Sequence, residues 1–306
     1  IFIKFFIIIK SKTYSLKNNL FILGKNMDSK NNSKQEPIVN SNIMKNKIGI
    51  VMGVANERSL AWGVTKTLSD NGADIILTYQ GEALKKRIVP LAEKANARDT
   101  FECDVSDEKS IKDTFDKIYK KYGKIDYIVH AIAYSDKEEL KGKYIETSRK
   151  NFLQSMDISC YSFTAVANYA SNIMNDGGSM ITLSYYGAEK VIPHYNVMGV
   201  AKAALEASVM YLAADLGGRE IRVNGISAGP VKTLAASGIG DFRYILKWNE
   251  YNAPLKRNTN LDDVGGAALF LLSNLSSGTT GEILHVDSGY HVVGMKSPDA
   301  PDISVV

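Results

Sequence analysis

One stretch, SYYGAEKVIPHYNVMGVAKAALE over residues 184–206, has the residue types for acid catalysis. Tyr185 and Tyr195 lie ten residues apart, and Lys202 follows Tyr195 by seven. A phenol can hydrogen-bond an oxygen that gains negative charge, and can give it a proton. An ammonium group beside the phenol favours phenolate and lowers the tyrosine pKa. Pro193 disfavours helix in the residue before it. After it, only Gly199 interrupts a run of small and apolar residues, so a helix is predicted from His194 or Tyr195. Two helical turns cover about 7.2 residues, which would put Tyr195 and Lys202 on one face. Tyr186 and Lys190 form a second pair with three residues between them. Gly187 lies inside that pair and Pro193 follows closely, so it is read as a turn, and the pair Tyr195 and Lys202 is preferred. A tyrosine and a lysine at helical spacing are most often plain core or surface residues. The elements that position them decide.

From Lys47 the chain alternates short apolar runs with helical patterns. IGIVMGV (48–54), ADIILTYQ (73–80), DTFECDV (99–105), KIDYIVHAIAY (124–134), GGSMITLSYY (177–186), EIRVNGISAG (220–229) and GEILHVDSG (281–289) read as seven strands. Helical patterns fall at 59–72, after 80, at 107–123, at roughly 147–175, after Pro193 and at 261–274. Asp262 and Asp263 sit in the first turn of the last, where acids favour the helix dipole. Near-continuous apolar strands alternating with helices predict an α/β fold: one Rossmann-type, doubly wound domain with a seven-stranded parallel sheet. No repeat and no linker follows residue 47, so one domain is expected over 47–295, with a tail at 296–306.

Residues 1–46 differ from the rest. They carry eight lysines against Asp28 and Glu36, a net +6, which leaves −2 of the total +4 for the remainder. The body is therefore not basic, and nucleic-acid binding is not indicated. IFIKFFIII is too short to span a bilayer, so no stable membrane insertion is expected. No small-residue cleavage site follows it. The Asn- and Ser-rich run after Met27 has the composition of a disordered linker. Residues 1–46 are read as a disordered extension or a translation artefact, with Met27 or Met44 as the native start. The two cysteines, Cys103 and Cys160, fit a reducing cytosol. Four scattered histidines and two distant cysteines make no metal site.

The turn GVANERSLAWG (53–63) joins the first strand to its helix, where a parallel sheet places a dinucleotide pyrophosphate. The usual GxGxxG is absent, since Gly53 and Gly63 are ten residues apart. Ser59 is placed to cap the helix and contact phosphate. Gln80 ends the second strand where Asp or Glu would usually meet a ribose; glutamine can still bond a 2′-hydroxyl. No arginine sits beside Gln80 to receive a 2′-phosphate, which favours NADH over NADPH. Asp104 and Val105 end the third strand, at the expected adenine position. Cys103 is read as a core residue.

Together these motifs resemble the bacterial NADH-dependent enoyl-acyl-carrier-protein reductases of the short-chain dehydrogenase/reductase superfamily. The resemblance covers about residues 46–295 and rests on GVANERSLAWG, TYQ, CDV, HAIAY, DISCYSF (157–163), TLSYYGAE, PHYNVMGVAKAALEA, RVNGISAGPVKTLAASGI (222–239) and GEILHVDSGY. The family spacing of tyrosine, six residues and lysine is present as Tyr195 and Lys202. The common keto-reductases of the superfamily have three intervening residues, as in Tyr186 and Lys190.

The resemblance implies a cytoplasmic homotetramer that reduces a trans-2-enoyl thioester, presented by acyl carrier protein, to the saturated thioester with NADH. This is the last step of each round of fatty acid elongation. By analogy Gly53, Ser59 and Leu60 hold the pyrophosphate side, Gln80 the adenosine ribose, and Asp104 and Val105 the adenine. Ile132 lies along the cofactor. Lys202 binds the nicotinamide ribose, and Val231, Lys232, Thr233, Leu234 and Ala235 line the nicotinamide and pyrophosphate. Tyr185 and Tyr195 are the family's active-site tyrosines, and Ser135 lies near the acyl chain. The loop 233–251 would close over that chain, with Ile239 and Phe242 as walls. Ala133 stands where the family commonly has glycine, and its methyl would narrow the pocket beside the nicotinamide.

Overall fold

The computed structural model describes residues 41–233, 236 and 240–303. Seven strands form one sheet: β1 (Ile48–Met52), β2 (Asp74–Tyr79), β3 (Asp99–Glu102), β4 (Ile125–His130), β5 (Met174–Ser184), β6 (Arg222–Ala228) and β7 (Ile283–Val286). Their order is β3-β2-β1-β4-β5-β6-β7, and every neighbouring pair is parallel. All seven carboxyl ends therefore lie on one edge. The order reverses between β1 and β4, which opens the crevice where such sheets bind dinucleotides.

Side chains alternate across the sheet because successive residues of a strand face opposite ways. Val51, Ile75, Leu77, Val129, Ile181 and Ile226 go to one face. There they meet α1 (Leu60–Asp70), α2 (Gly81–Lys94) and α8 (Leu261–Leu272). Ile50, Met52, Ile76, Ile128, Met180 and Val223 go to the other. That face carries α3 (Glu108–Tyr122), α5 (Ser162–Ile173) and α6 (Val197–Leu216). With both faces covered, the strands read as continuous apolar runs.

The long helical pattern near 147–175 is two helices, α4 (Arg149–Met156) and α5, joined by a π-helical turn at Asp157–Tyr161. The wide turn aims Ser159 at the loop after β4. Its Oγ accepts from Tyr134 N at 2.9 Å and donates to Tyr134 O at 3.0 Å. The expected loop at 233–251 contains α7 (Phe242–Asn252). Its inward face is Ile245, Asn249 and Asn252, mostly polar, so it does not show the apolar stripe of a core helix.

The packed body extends past both expected boundaries. Met44 is fully buried in the core, and Ser41 Oγ donates to Asn71 Oδ1 at 2.6 Å. At the other end Ala300 is buried, and Ser297 N donates to Asn252 Oδ1 at 2.8 Å. Residues 1–40 of the expected extension lie outside the described residues.

Helices α1 and α8 pack through glycines. A Cβ on Gly265 would meet Thr67 Oγ1 at 2.1 Å, and one on Gly63 would meet Leu261 O at 2.8 Å. Gly265→Ala should therefore overpack this seam and cost about 1–3 kcal/mol. Chemical denaturation should show a lower midpoint with an unchanged slope.

Candidate active site

Tyr195 lies between β5 and α6, two residues before the helix begins. The helix begins at Val197, so Tyr195 precedes it, and the expected shared helical face with Lys202 is not how the two are arranged. The turn departs from helix because His194 and Asn196 both take left-handed backbone, at φ 58° and 42°. Such conformations cost about 1–3 kcal/mol each and persist only where neighbours hold them. Asn196 Nδ2 supplies one hold, donating to Gly142 O at 2.9 Å. Glycines supply another. A Cβ on Gly187 would stand 2.4 Å from Cδ1 of the Tyr195 ring, and one on Gly199 would meet Gly187 O at 2.7 Å. The ring of Tyr185 meets that of Tyr195 edge-on, with centroids 5.0 Å apart and planes at 75°.

Lys202 is buried on α6. Its Nζ donates to Leu183 O at 2.7 Å, at the end of β5 and two residues before Tyr185. Burial lowers its pKa to about 8, against the favourable field of Glu206 one helical turn away. Glu206 accepts a short hydrogen bond from Ser184 Oγ, and burial raises its pKa. Burial likewise holds the Tyr195 phenol far above its usual value, and Tyr185 and Glu206 add to the effect. The expected lowering of the Tyr195 pKa by Lys202 is thus corrected: burial disfavours the phenolate and raises it, and the lysine is not among the groups that shift it. Tyr195 stays protonated at neutral pH, as a hydrogen-bond donor must. His130, fully buried under the same edge, bonds Thr182 Oγ1 at 3.1 Å and Ser162 Oγ at 2.9 Å. Burial first, then the Lys202 charge, lowers its pKa to about 3, so it is neutral.

The competing pair is not a site. Tyr186 lies in a short 3₁₀ turn, Tyr186–Ala188, and its hydroxyl donates to His291 O at 3.2 Å. Lys190 is exposed beyond that turn.

The nucleotide side is built from strand ends. Gly53 follows β1 at φ 98°, and a Cβ there would stand 2.0 Å from Ala131 O. Only glycine lets the backbone pass so close to the loop after β4 at this positive φ. Ser59 does precede α1, but it does not cap the helix with its hydroxyl, which donates to Asn56 O at 2.7 Å. Its backbone is extended as a cap requires, and the side chain is drawn back by the 56–59 turn. Leu60 begins α1. Gln80 Nε2 donates to Asp104 Oδ2 at 2.9 Å, which joins the tips of β2 and β3. Val105 and Cys103 are buried, and burial pushes the Cys103 thiol up to about 11. This is an unreactive core cysteine. Ile132 packs partly buried at the end of β4. Val231, Lys232 and Thr233 follow β6, where Thr233 Oγ1 accepts from Ala236 N at 3.0 Å. Leu234, Ala235 and Ile239 lie outside the described residues.

Ser135 shares hydrogen bonds with Asn151, giving to Oδ1 at 3.3 Å and taking from Nδ2 at 3.2 Å. It lies in the loop after β4 that Ser159 fixes. Ala133 is exposed in the same loop. A cavity of about 230 Å³ opens beside Tyr185 and runs under α7, lined by Ile192, Ile245, Trp248, Asn249 and Tyr290 among others. Ile245 faces it rather than the expected Phe242. Trp248 and Tyr290 are not among the predicted site residues, because Trp248 falls in the segment expected as a loop and Tyr290 lies beyond the last strand. The run YxxxW, two aromatics at i and i+4, was the available signal.

A seven-stranded parallel sheet, a glycine-gated turn at the switch point and a buried tyrosine–lysine pair beyond β5 define a dinucleotide-dependent oxidoreductase of the short-chain dehydrogenase/reductase type. The family model described as Enoyl-(Acyl carrier protein) reductase matches residues 53–291. An NADH enoyl-acyl-carrier-protein reductase of Rhizobium meliloti is 67% identical over 266 residues, covering 87% of this chain and 98% of that protein. One from Rickettsia felis is 54% identical over 252 residues, covering 82% and 97%. A crystal structure of the reductase from Anaplasma phagocytophilum in complex with NAD superposes with a TM-score of 0.82 at 61% identity, covering 85% of this chain and 98% of that one. The chain belongs to the enoyl-(acyl carrier protein) reductase family.

The depressed Lys202 pKa has a consequence for stability. Below about pH 8 the lysine is charged in both folded and unfolded states, and the burial penalty is fully present. Between about 8 and the ordinary 10.5 the folded state has released a proton that the unfolded state keeps, so stability rises with pH. In unliganded protein, the stability of wild type relative to Lys202→Met should therefore move in favour of wild type across that window. Denaturant titrations at stepped pH would read it.

Proposed function

We infer that this chain reduces the trans-2 double bond of an enoyl group carried on acyl carrier protein, using NADH, and that Tyr195 and Lys202 carry out the protein's part. The activity and cofactor follow from family membership at 67% identity. The single observation that carries the residue roles is the Lys202 ammonium, buried and fixed on the Leu183 carbonyl beside the Tyr185–Tyr195 pair.

Bound NADH supplies the hydride that reduces the β-carbon of the enoyl thioester. Gly53, in the turn after β1, and Ser59 and Leu60 at the start of α1 would hold its pyrophosphate side. Gln80, with Asp104 and Val105 beside it, would hold the adenosine end. Val231, Lys232 and Thr233 would line the nicotinamide side, with Leu234 and Ala235 continuing the same segment, and Ile132 would lie opposite. Lys202 would take the nicotinamide ribose hydroxyls with the N–H groups left over from Leu183 O. Its positive charge also favours electron density building up nearby. Tyr195, kept protonated by burial, would donate to the thioester oxygen as negative charge moves onto it, and Tyr185 would hold the Tyr195 ring in place. Ser135 would border the acyl chain.

Three further expectations rest on the family resemblance. The physiological substrate is delivered by acyl carrier protein, the assembly is a homotetramer, and the enzyme works in a bacterial cytoplasm. The two buried free cysteines are in keeping with a reducing compartment.

Steady-state oxidation of NADH with a trans-2-enoyl thioester tests the reading. Tyr195→Phe should lower kcat by about 10²-fold or more, the scale of a lost acid or oxyanion donor. Lys202→Ala should fall at least as far. Lys190→Ala should keep wild-type rates, because the Tyr186–Lys190 pair is not used. Loss of activity in Lys190→Ala with retention in Tyr195→Phe would overturn the assignment.

A further inference from the structure

Among the described residues no hydrogen bond reaches the Tyr195 hydroxyl. Its direction is therefore set by ring packing and by the backbone on either side. Both flanking residues are left-handed, and each is tied to a different segment. Asn196 Nδ2 reaches the loop after β4, at Gly142 O. His194 reaches the start of α7, where its Nε2 lies 3.0 Å from Asp241 Oδ2. The imidazole also lies on Gly240, where an added Cβ would stand 3.1 Å from His194 Cγ. His194 Nδ1 is buried with no hydrogen-bond partner, so Asp241 is the one polar partner of this ring among the described residues. Asp241 occupies the N-cap position of α7, at a left-handed φ of 53°, yet its side chain makes no cap bond to the helix. Aspartate is a favoured cap, and here the carboxylate turns to His194 instead. The far side of the contact is firm. Trp248 Nε1 on α7 donates to Tyr290 Oη at 2.8 Å, and Asn252 Oδ1 accepts from Ser297 N at 2.8 Å. Ile192 and Pro193, just before His194, and Tyr244 and Ile245, just after Asp241, line the same cavity beside Tyr185.

We propose that His194 is a positioning residue: its contact with Asp241 ties the turn carrying Tyr195 to α7 and so aims the Tyr195 hydroxyl at the thioester oxygen. This role rests on the reductase reading above and on the part it gives Tyr195. A left-handed residue sets the direction of the peptide that follows it, and the conformation persists only where its surroundings over-determine it. Without the Asp241 contact, Asn196 is the remaining side-chain anchor of the two residues flanking Tyr195. The Tyr195 ring then samples more orientations, and a donor displaced by about an ångström loses much of its effect on the transition state. Histidine suits the position because it is among the residues enriched in left-handed backbone and its Nε2 reaches Asp241.

Two double-mutant cycles test it, read as kcat and KM for a trans-2-enoyl thioester with NADH. Circular dichroism and NADH binding verify that each variant is folded. His194→Asn accepts left-handed backbone but is too short to reach Asp241 as the imidazole does, and Asp241→Gly accepts it without a carboxylate. Each should lower kcat about fivefold, with NADH affinity within about twofold of wild type. The double variant should lose no more than either single one, because both remove the same contact. In a Tyr195→Phe background, His194→Asn should cause no further loss, because there is no hydroxyl left to aim. A folded His194→Asn with the wild-type kcat would overturn the proposal and leave the reductase reading intact. The same fivefold loss in the Tyr195→Phe background would also overturn it, since the effect would then not pass through Tyr195. A wild type that turns over no enoyl thioester would instead overturn the reductase reading, and this role with it.

Discussion

A buried lysine is the constraint on which the rest of this site depends. Lysines are almost never fully buried without a partner, and Lys202 is held by the backbone carbonyl of Leu183 and by the field of Glu206. That arrangement fixes the start of α6 against the end of β5. It also accounts for several neighbours. His130 is neutral because it is fully buried and, to a lesser degree, because an ammonium lies near it. Glu206 is tied by Ser184 next to the carbonyl that Lys202 uses, so one strand end anchors both of these side chains of α6.

The sheet makes this possible by geometry alone. Parallel pairing throughout sends every strand end to one edge, so Gly53, Gln80, Asp104, Ile132, Tyr185 and Val231 come together although they span nearly two hundred residues of chain. The cost appears in the turn around Tyr195. Left-handed backbone at His194 and Asn196 and the close passage past Gly187 are unfavourable locally. They are stabilised by the Asn196 hydrogen bonds and by ring packing against Tyr185. Backbone strain gathered beside candidate catalytic groups is common, because the surrounding fold over-determines them.

Much of this was legible in the sequence because it depends on patterns the backbone imposes. Seven apolar runs with intervening helical patterns specified the parallel sheet, and the single glycine of the first turn marked the crevice. Less legible were features set by tertiary contact. Tyr195 and Lys202 have helical spacing, yet Asn196 breaks the helix between them, and no local rule requires that. The sign of the Tyr195 pKa shift depends on how deeply the ring is buried, which spacing does not reveal. The Ser59 hydroxyl has a suitable position for capping, but a competing carbonyl at Asn56 takes it. Helix α7 is hard to read because its buried face is Ile245, Asn249 and Asn252, two of the three polar, so it lacks the apolar stripe by which helices are recognised.

In the proposed function, the Lys202 ammonium holds the cofactor. The most direct measurement is NADH affinity by fluorescence titration from pH 6.5 to 10, for wild type and Lys202→Met. If the protonated lysine binds the cofactor, wild-type affinity is flat below about pH 8 and then weakens, approaching tenfold per pH unit. Lys202→Met binds weakly at every pH with no such break. Equal affinities, or a break of the same size in both proteins, would contradict the account.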